Sequence, residues 1–209
     1  MITFNNGLLI SVEGIDGCGK STFLKNLQQK LEEHGIQPVV TKEPGGSPLG
    51  KLLRQIILKK EVPLCSKSEF LLFASDRAQH TEQIVEPALK DNKVVISDRM
   101  GDSSIVYQGY ARGLDIDMIK TINAWATGGR TADIVFYLDI DVPTAFKRVY
   151  ERNEELTSFE REHEDFMYKV KKGFDELFSK RDNVVKIDAH QTPDTIAQQA
   201  VDVILQKAN

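Results

Sequence analysis

The chain has 209 residues, of which 41% are hydrophobic and 28% are charged. This length fits one domain, and this composition excludes intrinsically disordered, collagenous and disulfide-scaffold proteins. The formal net charge of -4 argues against a nucleic acid polymer as partner, because such polymers favour basic domains. Every apolar run is short, which argues against a membrane span, because a span needs ~20 apolar residues in a row.

Short apolar runs alternate with amphipathic stretches along the whole chain. Strands are predicted at 8–12, 38–40, 93–97, 133–138 and 183–187. Helices are predicted at 21–33, 49–58, 68–85, 117–126, 143–152, 166–178 and 193–207. The strand segments are continuously apolar, which is typical of strands that helices cover on both faces. The pattern therefore predicts one α/β domain with a parallel sheet of five strands, and it leaves the highly charged segment 153–164 undecided.

The turn after the first strand carries the strongest motif. It reads Gly14-Ile15-Asp16-Gly17-Cys18-Gly19-Lys20-Ser21, followed by Thr22, and it matches the pattern G-x-x-x-x-G-K-[ST] between a strand and a helix. Glycines let the backbone N–H groups converge on phosphate oxygens at a helix N-terminus. In such a loop Lys20 reaches the β- and γ-phosphates and the Ser21 hydroxyl binds Mg²⁺. A glycine-rich turn with an incidental lysine is the competing interpretation, and the flanking elements disfavour it.

A phosphate loop alone does not distinguish an ATPase, a GTPase switch and a kinase. A GTPase usually reads guanine with an N-K-x-D element, whereas Asn92-Lys93 is followed here by Val94-Val95. A kinase needs an acceptor site in the rest of the chain. Cys18 is either a reactive thiol near a helix N-terminus or, as we expect, a small side chain that fills the loop.

Two loop features are compatible with an acceptor site. A carboxylate beside polyphosphate is unfavourable without a task, so Asp16 is a candidate acceptor for a hydrogen bond from a sugar hydroxyl, or else a residue that stabilises the turn. The segment 43–48 reads Glu-Pro-Gly-Gly-Ser-Pro after the second strand. Ligand crevices of open α/β sheets lie at such strand ends, although a plain connector would also fit.

Two further pairs of residues point the same way. Phe73 and Arg77 share one helix face, so they could stack on a nucleobase and bond its carbonyl edge; a core Phe with a surface pair between Arg77 and Asp76 or Glu69 is the alternative. Asp98 and Arg99 follow the third strand. Asp98 could orient Mg²⁺ or its waters while Arg99 bridges two phosphates, or Asp98 could simply cap a helix.

Taken together, these motifs resemble those of thymidylate kinases (dTMP kinases) in order and spacing over nearly the whole chain. The resemblance rests on the phosphate loop, Glu43-Pro44-Gly45-Gly46, Asp76-Arg77-Ala78-Gln79, Asp98-Arg99, Tyr107-Gln108-Gly109-Tyr110 and Ile187-Asp188-Ala189. It implies one kinase domain over residues 1–209. The implied fold is of the P-loop NTPase type, with five parallel strands, helices on both faces and a short lid at about 148–164.

The resemblance also implies a reaction. The γ-phosphoryl group of ATP would pass to dTMP, giving dTDP and ADP in the biosynthesis of dTTP, with Mg²⁺ bound through Ser21 and, through water, Asp98. ATP phosphates would lie on residues 14–22. The attacking phosphate oxygen of dTMP is already anionic and needs no general base. Lys20, Arg99 and a lid arginine would instead offset the repulsion between two phosphates.

The acceptor site implied by the resemblance comes from four segments of the chain. Asp16 would bind the 3′-hydroxyl, Phe73 would stack on thymine, and Tyr107 would exclude a 2′-hydroxyl. The full set of expected dTMP contacts is Asp16, Pro44, Phe73, Arg77, Arg99, Ser104, Tyr107 and Gln108. Members of this family are usually homodimers, and the apolar faces of the helices at 68–85 and 117–126 could form the contact.

The chain departs from the family pattern at two places. Met100 follows Asp98-Arg99 where an aromatic residue or histidine is usual, and we expect it to pack. The lid segment 157–160 reads Thr-Ser-Phe-Glu and lacks the usual arginine. Arg152 is our first choice for the lid cation and Arg148 the second, with Arg161 just beyond the segment. Alternatively, all three are solvated and pair with Glu151, Glu155 or Glu164.

Three functions remain open at this point: a dTMP kinase, a kinase of this fold for dUMP or another nucleoside monophosphate, and a nucleotide-binding regulatory protein with a weakened lid. Tyr107 and Arg77 argue against broad ribonucleotide specificity. The two lone cysteines, Cys18 and Cys65, suit a reducing compartment. Because the first residues also lack the basic start of a secretory signal, we expect a cytoplasmic protein.

Overall fold

The computed structural model describes residues 4–59, 62–152 and 156–207. Five parallel strands form one sheet in the order β2-β3-β1-β4-β5. Their bounds are β1 Leu8–Glu13, β2 Val39–Lys42, β3 Val94–Asp98, β4 Ile134–Asp139 and β5 Val184–Asp188. Nearly every residue of β1, β3 and β4 is buried, so both faces of the sheet are covered, as the continuously apolar runs predicted.

The helices follow the predicted order, with small shifts at their ends. They are α1 Lys20–Glu33, α2 Pro48–Lys59, α3 Ser66–His80, α4 Glu86–Lys90, α5 Gly101–Ser104, α6 Ile116–Ala126, α7 Val142–Glu151, α8 Glu164–Phe178 and α9 Pro193–Leu205. On the sheet, α1 packs against α9, and α3 packs against both α2 and α6.

Two helical segments were not foreseen. The helix predicted at 68–85 ends its regular part at His80, passes through a π-helical turn at Thr81–Val85 and continues as α4. Pro87 stands in the first turn of α4, where its missing N–H costs little. Helix α5 continues into a π-helical segment at Ile105–Ala111. No helical period marks this stretch in the sequence, and packing against α8 stabilises it.

The architecture brings charged residues to one edge of the sheet. Each strand ends in an ionisable side chain: Glu13, Lys42, Asp98, Asp139 and Asp188. In a parallel sheet all these ends lie on the same side, where ligands of open α/β folds bind. No helix in the described part of the chain is long and apolar enough to cross a membrane.

Candidate active site

A cleft of about 680 Å³ opens at this edge of the sheet. All eight predicted acceptor-site residues line it, as do the three predicted cations Lys20, Arg99 and Arg152 and the two predicted metal-binding residues Ser21 and Asp98. Of the phosphate loop, Gly14, Ile15 and Cys18 are not among the lining residues. Burial raises the pKa of the Cys18 thiol, which fits a packing side chain and not a reactive one.

The phosphate loop packs too closely against its neighbours for side chains at two positions. A Cβ on Gly14 would lie 2.7 Å from the carbonyl oxygen of Leu138, and one on Gly17 would lie 2.2 Å from that of Ala145. Both glycines also have positive φ angles, which other residues rarely adopt. Lys20 folds back over the loop, where its Nζ donates to the carbonyl oxygens of Gly14 and Ile15 at 3.0 and 3.1 Å.

Arg99 is the centre of a polar cluster on the floor of the cleft. Its Nη2 donates to Asp16 Oδ1 at 2.6 Å and to the Tyr107 hydroxyl at 3.2 Å, and that hydroxyl donates to Asp16 Oδ2 at 3.1 Å. Burial opposes ionisation of Asp16, but the charges of Arg99 and Lys20 hold its pKa below the usual value. The Asp16 carboxylate thus accepts hydrogen bonds from side chains. A residue that stabilises the turn, the alternative considered above, would instead accept them from the backbone of the loop.

The backbone also fixes Arg99. Its φ of 69° lies in the left-handed region, which costs free energy for a residue with a Cβ and is common at functional sites. Its Nη1 donates to the Gly14 carbonyl and to Ser103 Oγ, each at 3.0 Å. The residue that caps α5 is Met100, so Asp98 is not the helix cap that the alternative interpretation required. Met100 is buried, as expected for a packing residue.

Glu13 lies beneath this cluster and was not predicted as a site residue. Its two carboxyl oxygens accept hydrogen bonds from the Met100 backbone N–H at 2.8 Å and from Ser103 Oγ at 2.6 Å. Burial, together with the nearby charge of Asp102, raises its pKa to about 8. Glu13 therefore holds Met100, which follows Arg99 in the chain, and Ser103, which accepts a hydrogen bond from Arg99. The sequence offers one signal for Glu13 as a site residue, namely a charged side chain at the end of an apolar strand.

The Glu43–Gly46 loop is anchored by α3. Arg77 Nε donates to Glu43 Oε2 at 2.9 Å, and His80 Nδ1 lies 3.0 Å from Glu43 Oε1. All three side chains are at most 3% exposed. Asp76 Oδ1 accepts from the Gly45 N–H at 3.0 Å. Arg77 thus forms a buried pair with Glu43, and the alternative of a surface pair with Asp76 or Glu69 is wrong.

Arg54 is a second residue that the sequence did not reveal. It extends from α2 into the cleft, where its Nη1 donates to the Pro44 carbonyl at 2.8 Å. Burial lowers the pKa of its guanidinium, which nevertheless stays charged at neutral pH. Arg54 and Arg99 line the same cleft and supply two permanent positive charges to it.

Aromatic rings surround the predicted base pocket. Phe159 of the lid segment lies 6.0 Å from the Phe73 ring and 5.7 Å from the Tyr107 ring, between ring centroids. Gln108 is 1% exposed and lines the cleft. Its Nε2 donates to Glu69 Oε1 at 3.0 Å. The lid segment is tied to α2, because Ser158 N donates to the Leu58 carbonyl at 3.1 Å.

The three candidate lid arginines occupy different environments. Arg152 lines the cleft and forms an ion pair with Glu160. Arg148 also lines the cleft, and both its terminal nitrogens donate to the Ala189 carbonyl at 3.1 Å. Arg161 does not line the cleft, and its Nε donates to the Leu156 carbonyl. Among the predicted carboxylate partners, Glu155 lies outside the described residues.

The polar groups near the phosphate loop suit a hydrated divalent cation. Asp98 Oδ1 is buried at the cleft, and no described residue donates a hydrogen bond to it. The Ser21 hydroxyl lines the same cleft. No group of three His, Cys, Asp or Glu side chains that could hold a metal occurs among the described residues. Mg²⁺ fits this arrangement, because it is usually held by one or two protein oxygens, waters and substrate phosphates.

Known proteins resemble the chain over most of its length. The family model for thymidylate kinase matches residues 12–200. A protein of Halothermothrix orenii described as thymidylate kinase is 42% identical over 192 residues, which are 91% of this chain and 92% of that protein. Proteins with the same description from Thermoanaerobacter pseudethanolicus and Trichodesmium erythraeum are 43% and 39% identical, and each match covers at least 95% of both chains.

Proposed function

The chain belongs to the thymidylate kinase family, and from that premise we propose how its cleft phosphorylates dTMP with ATP to give dTDP and ADP. The observation that carries the proposal is the position of Arg99. This cation lies between the phosphate loop, through the Gly14 carbonyl, and the predicted acceptor pocket, through Asp16 and Tyr107. A phosphoryl group that moves from one side to the other must pass close to it.

The donor side is the phosphate loop. Its backbone N–H groups and the N-terminus of α1 would hold the ATP phosphates over residues 14–22. Lys20 would exchange its contacts with the Gly14 and Ile15 carbonyls for contacts with the β- and γ-phosphates. Ser21 and, through water, Asp98 would hold Mg²⁺, which when bound neutralises phosphate charge.

The acceptor side is the pocket around Tyr107. Asp16 is ionised and faces the cleft, so it can accept a hydrogen bond from the 3′-hydroxyl of dTMP. The Tyr107 ring and hydroxyl occupy the space beside it and would leave no room for a 2′-hydroxyl. Phe73 would stack on the base and Pro44 would border it, while Arg77, Ser104 and Gln108 would surround its polar edge.

Neutralisation of the phosphate charges would lower the barrier to phosphoryl transfer. The attacking dTMP oxygen is anionic, so the chain's task is to hold two phosphates together and to exclude water. Lys20 and Arg99 supply two of the cations, and Arg54 joins them from the acceptor side. Arg152 stays our first choice for the lid cation and Arg148 the second, because both line the cleft whereas Arg161 does not.

We propose that residues 1–209 form one kinase domain with a lid at about 148–164. One hydrophobic core that extends from Phe4 to Ile204 supports this division. We also propose a homodimer. Large apolar side chains are exposed on three neighbouring helices, including Leu52 of α2, Leu71 of α3 and Trp125 of α6. The free thiols of Cys18 and Cys65 support a cytoplasmic location.

A coupled assay of ADP release tests the function. ATP with Mg²⁺ is supplied with dTMP, dUMP, UMP or dCMP in turn, and we expect dTMP to give the highest kcat/KM. Preference for another acceptor would overturn the base-pocket assignments. ATP and dTMP binding without turnover, measured by calorimetry, would instead indicate a nucleotide-binding protein that is not a kinase.

A further inference from the structure

Glu69 fixes the direction of a neighbouring amide group in the cleft. Its carboxylate, on α3, accepts hydrogen bonds from Gln108 Nε2 at 3.0 Å and from Arg112 Nε at 2.7 Å. Glu69 is 1% exposed, so water does not compete for these contacts. An ionised carboxylate can only accept hydrogen bonds. The NH₂ side of the Gln108 amide must therefore face Glu69.

This constraint decides which atom Gln108 presents to a ligand. With its NH₂ group committed, the amide offers its oxygen, Oε1, on the other side. No described residue donates a hydrogen bond to this oxygen, and Gln108 lines the cleft. A free glutamine side chain could rotate and present either a donor or an acceptor. Here the contact with Glu69 holds the amide in one orientation, with Oε1 on the side away from Glu69.

Arg77 presents the opposite chemistry close by. Three of its N–H groups donate to Glu43, Asn123 and Ser104, and a guanidinium has five such groups. Ser104 lies on the segment that also carries Gln108, and both residues line the cleft with Arg77. The polar edge of the pocket thus combines a guanidinium donor with an amide acceptor.

This pattern matches one class of pyrimidine. Thymine and uracil present a carbonyl oxygen at C4 and an N–H at N3, whereas cytosine presents an amino group at C4 and a bare N3 acceptor. A fixed acceptor opposite N3 pairs with thymine and faces a lone pair in cytosine. A buried polar group left unpaired in this way costs binding free energy.

We propose that Glu69 is a specificity-determining residue, which excludes cytosine nucleotides by locking the Gln108 amide with its oxygen toward the base. Glu69 itself does not touch the substrate; it acts through Gln108. The proposal rests on the function proposed above. It adds to that function a selection against dCMP, which it assigns to Glu69, a residue that does not line the cleft.

The test compares acceptors in the variant Glu69→Gln. The amide that this substitution introduces can donate or accept, so the Gln108 amide is free to rotate and to donate to N3 of cytosine. We expect the ratio of kcat/KM for dTMP to that for dCMP to fall about 10- to 100-fold. The ratio for dTMP to dUMP should not change, because both bases present the same edge. General structural damage would lower all three rates together and would not produce this pattern.

Arg112→Lys is the matched control. It disturbs the contacts of Arg112 with Glu162 and the Phe166 ring but leaves a cation beside an ionised Glu69. We expect its dTMP to dCMP ratio to equal that of the unaltered chain. Circular dichroism shows whether Glu69→Gln folds. If it does not, the double variant Glu69→Gln with Arg112→Gln is tested instead, because it replaces the ion pair by two neutral amides.

Two results would overturn the proposal alone: an unchanged dTMP to dCMP ratio in Glu69→Gln, or an equal loss of that ratio in Arg112→Lys. Failure of the proposed function is visible earlier and separately, since the unaltered chain would then not prefer dTMP.

Discussion

The base end of the cleft and its lid end hold their arginines in different ways. At the base end Arg77 is 1% exposed and donates to a buried carboxylate, an amide oxygen and a hydroxyl. At the lid end Arg152 is 42% exposed and pairs with Glu160, and Arg148 donates to a backbone carbonyl. A guanidinium that is itself buried is fixed in one place by its partners, whereas water can reach an exposed guanidinium such as that of Arg152, although its partner Glu160 is buried. On the proposed roles, base recognition would depend on fixed side chains and charge neutralisation at the lid on adjustable ones.

The largest effect should come from Arg99, which lies between the two ends. Arg99→Gln removes the cation that joins the phosphate loop to Asp16 and Tyr107, and we expect kcat/KM for dTMP to fall about 10²- to 10³-fold. The coupled ADP assay measures it. Arg161→Gln, near the lid but outside the cleft lining, serves as the control and should change the rate far less. Equal losses in both variants would contradict the central position given to Arg99.

Removing one carboxylate from each end tests the contrast between them. Glu43→Gln leaves Arg77 buried without its ionic partner, which costs about 3 kcal/mol of unfolding free energy. Glu160→Gln breaks the pair of an exposed arginine and should cost less than about 1 kcal/mol. Urea unfolding of both variants measures the difference, with the dependence of the unfolding free energy on urea concentration taken as equal in the two variants. Similar losses would mean that the lid end is as rigidly organised as the base end.

A smaller effect separates the two lid candidates. Arg152→Ala should lower kcat about 10-fold while KM for dTMP changes little, because a lid cation is needed chiefly as charge develops between the phosphates. Arg148→Ala should lower kcat less and should raise KM for ATP, since Arg148 lies close to Gly19 of the phosphate loop. Steady-state kinetics with each substrate varied distinguishes them. A reversed order would make Arg148 the lid cation.

The last expected effect concerns the pH dependence of stability. The pKa of Glu13 is raised in the folded chain to about 8 from its ordinary value of 4.5, so folding favours its protonated form. This contribution to stability is fully present below the unfolded pKa and is lost as the pH rises through the folded one. Glu13→Gln mimics the protonated acid without titrating. Between pH 5 and about 8 the variant should therefore gain stability relative to the unaltered chain, as measured by thermal unfolding; a constant difference would contradict the raised pKa.

The sequence predicted the parts of the site whose residues are close together in the chain. The phosphate loop, the Asp98-Arg99 pair at the end of β3 and the alternation of strands and helices all follow from local patterns that short segments of the sequence reveal. Residues 73, 77, 104, 107 and 108, which the resemblance assigned to the acceptor site, line one cleft, and their roles stay predictions.

What the sequence could not reveal are pairings between distant segments. Glu43 binds Arg77 and His80 across 34 and 37 residues, and Arg54 meets the Pro44 loop only because α2 folds back over it. No periodicity marks such a partner, since any of several carboxylates could serve. The same reason explains why Asp76 and Glu69 were offered as partners of Arg77, although α3 directs Arg77 toward Glu43.

The occupied state of Arg99 has a consequence for the kind of ligand the cleft accepts. Four of its hydrogen bonds already go to Gly14, Ser103, Asp16 and Tyr107. These bonds occupy both terminal nitrogens, so a ligand that binds Arg99 through either of them must exchange places with one of these partners. On the roles proposed here, a ligand that brings an anion for Arg99 and a hydroxyl for Asp16 compensates both residues at once. A ligand that brings only the anion, such as inorganic phosphate, would draw Arg99 from Asp16 and leave that carboxylate with the Tyr107 hydroxyl as its hydrogen-bond donor, so the corner would discriminate against fragments of its substrate.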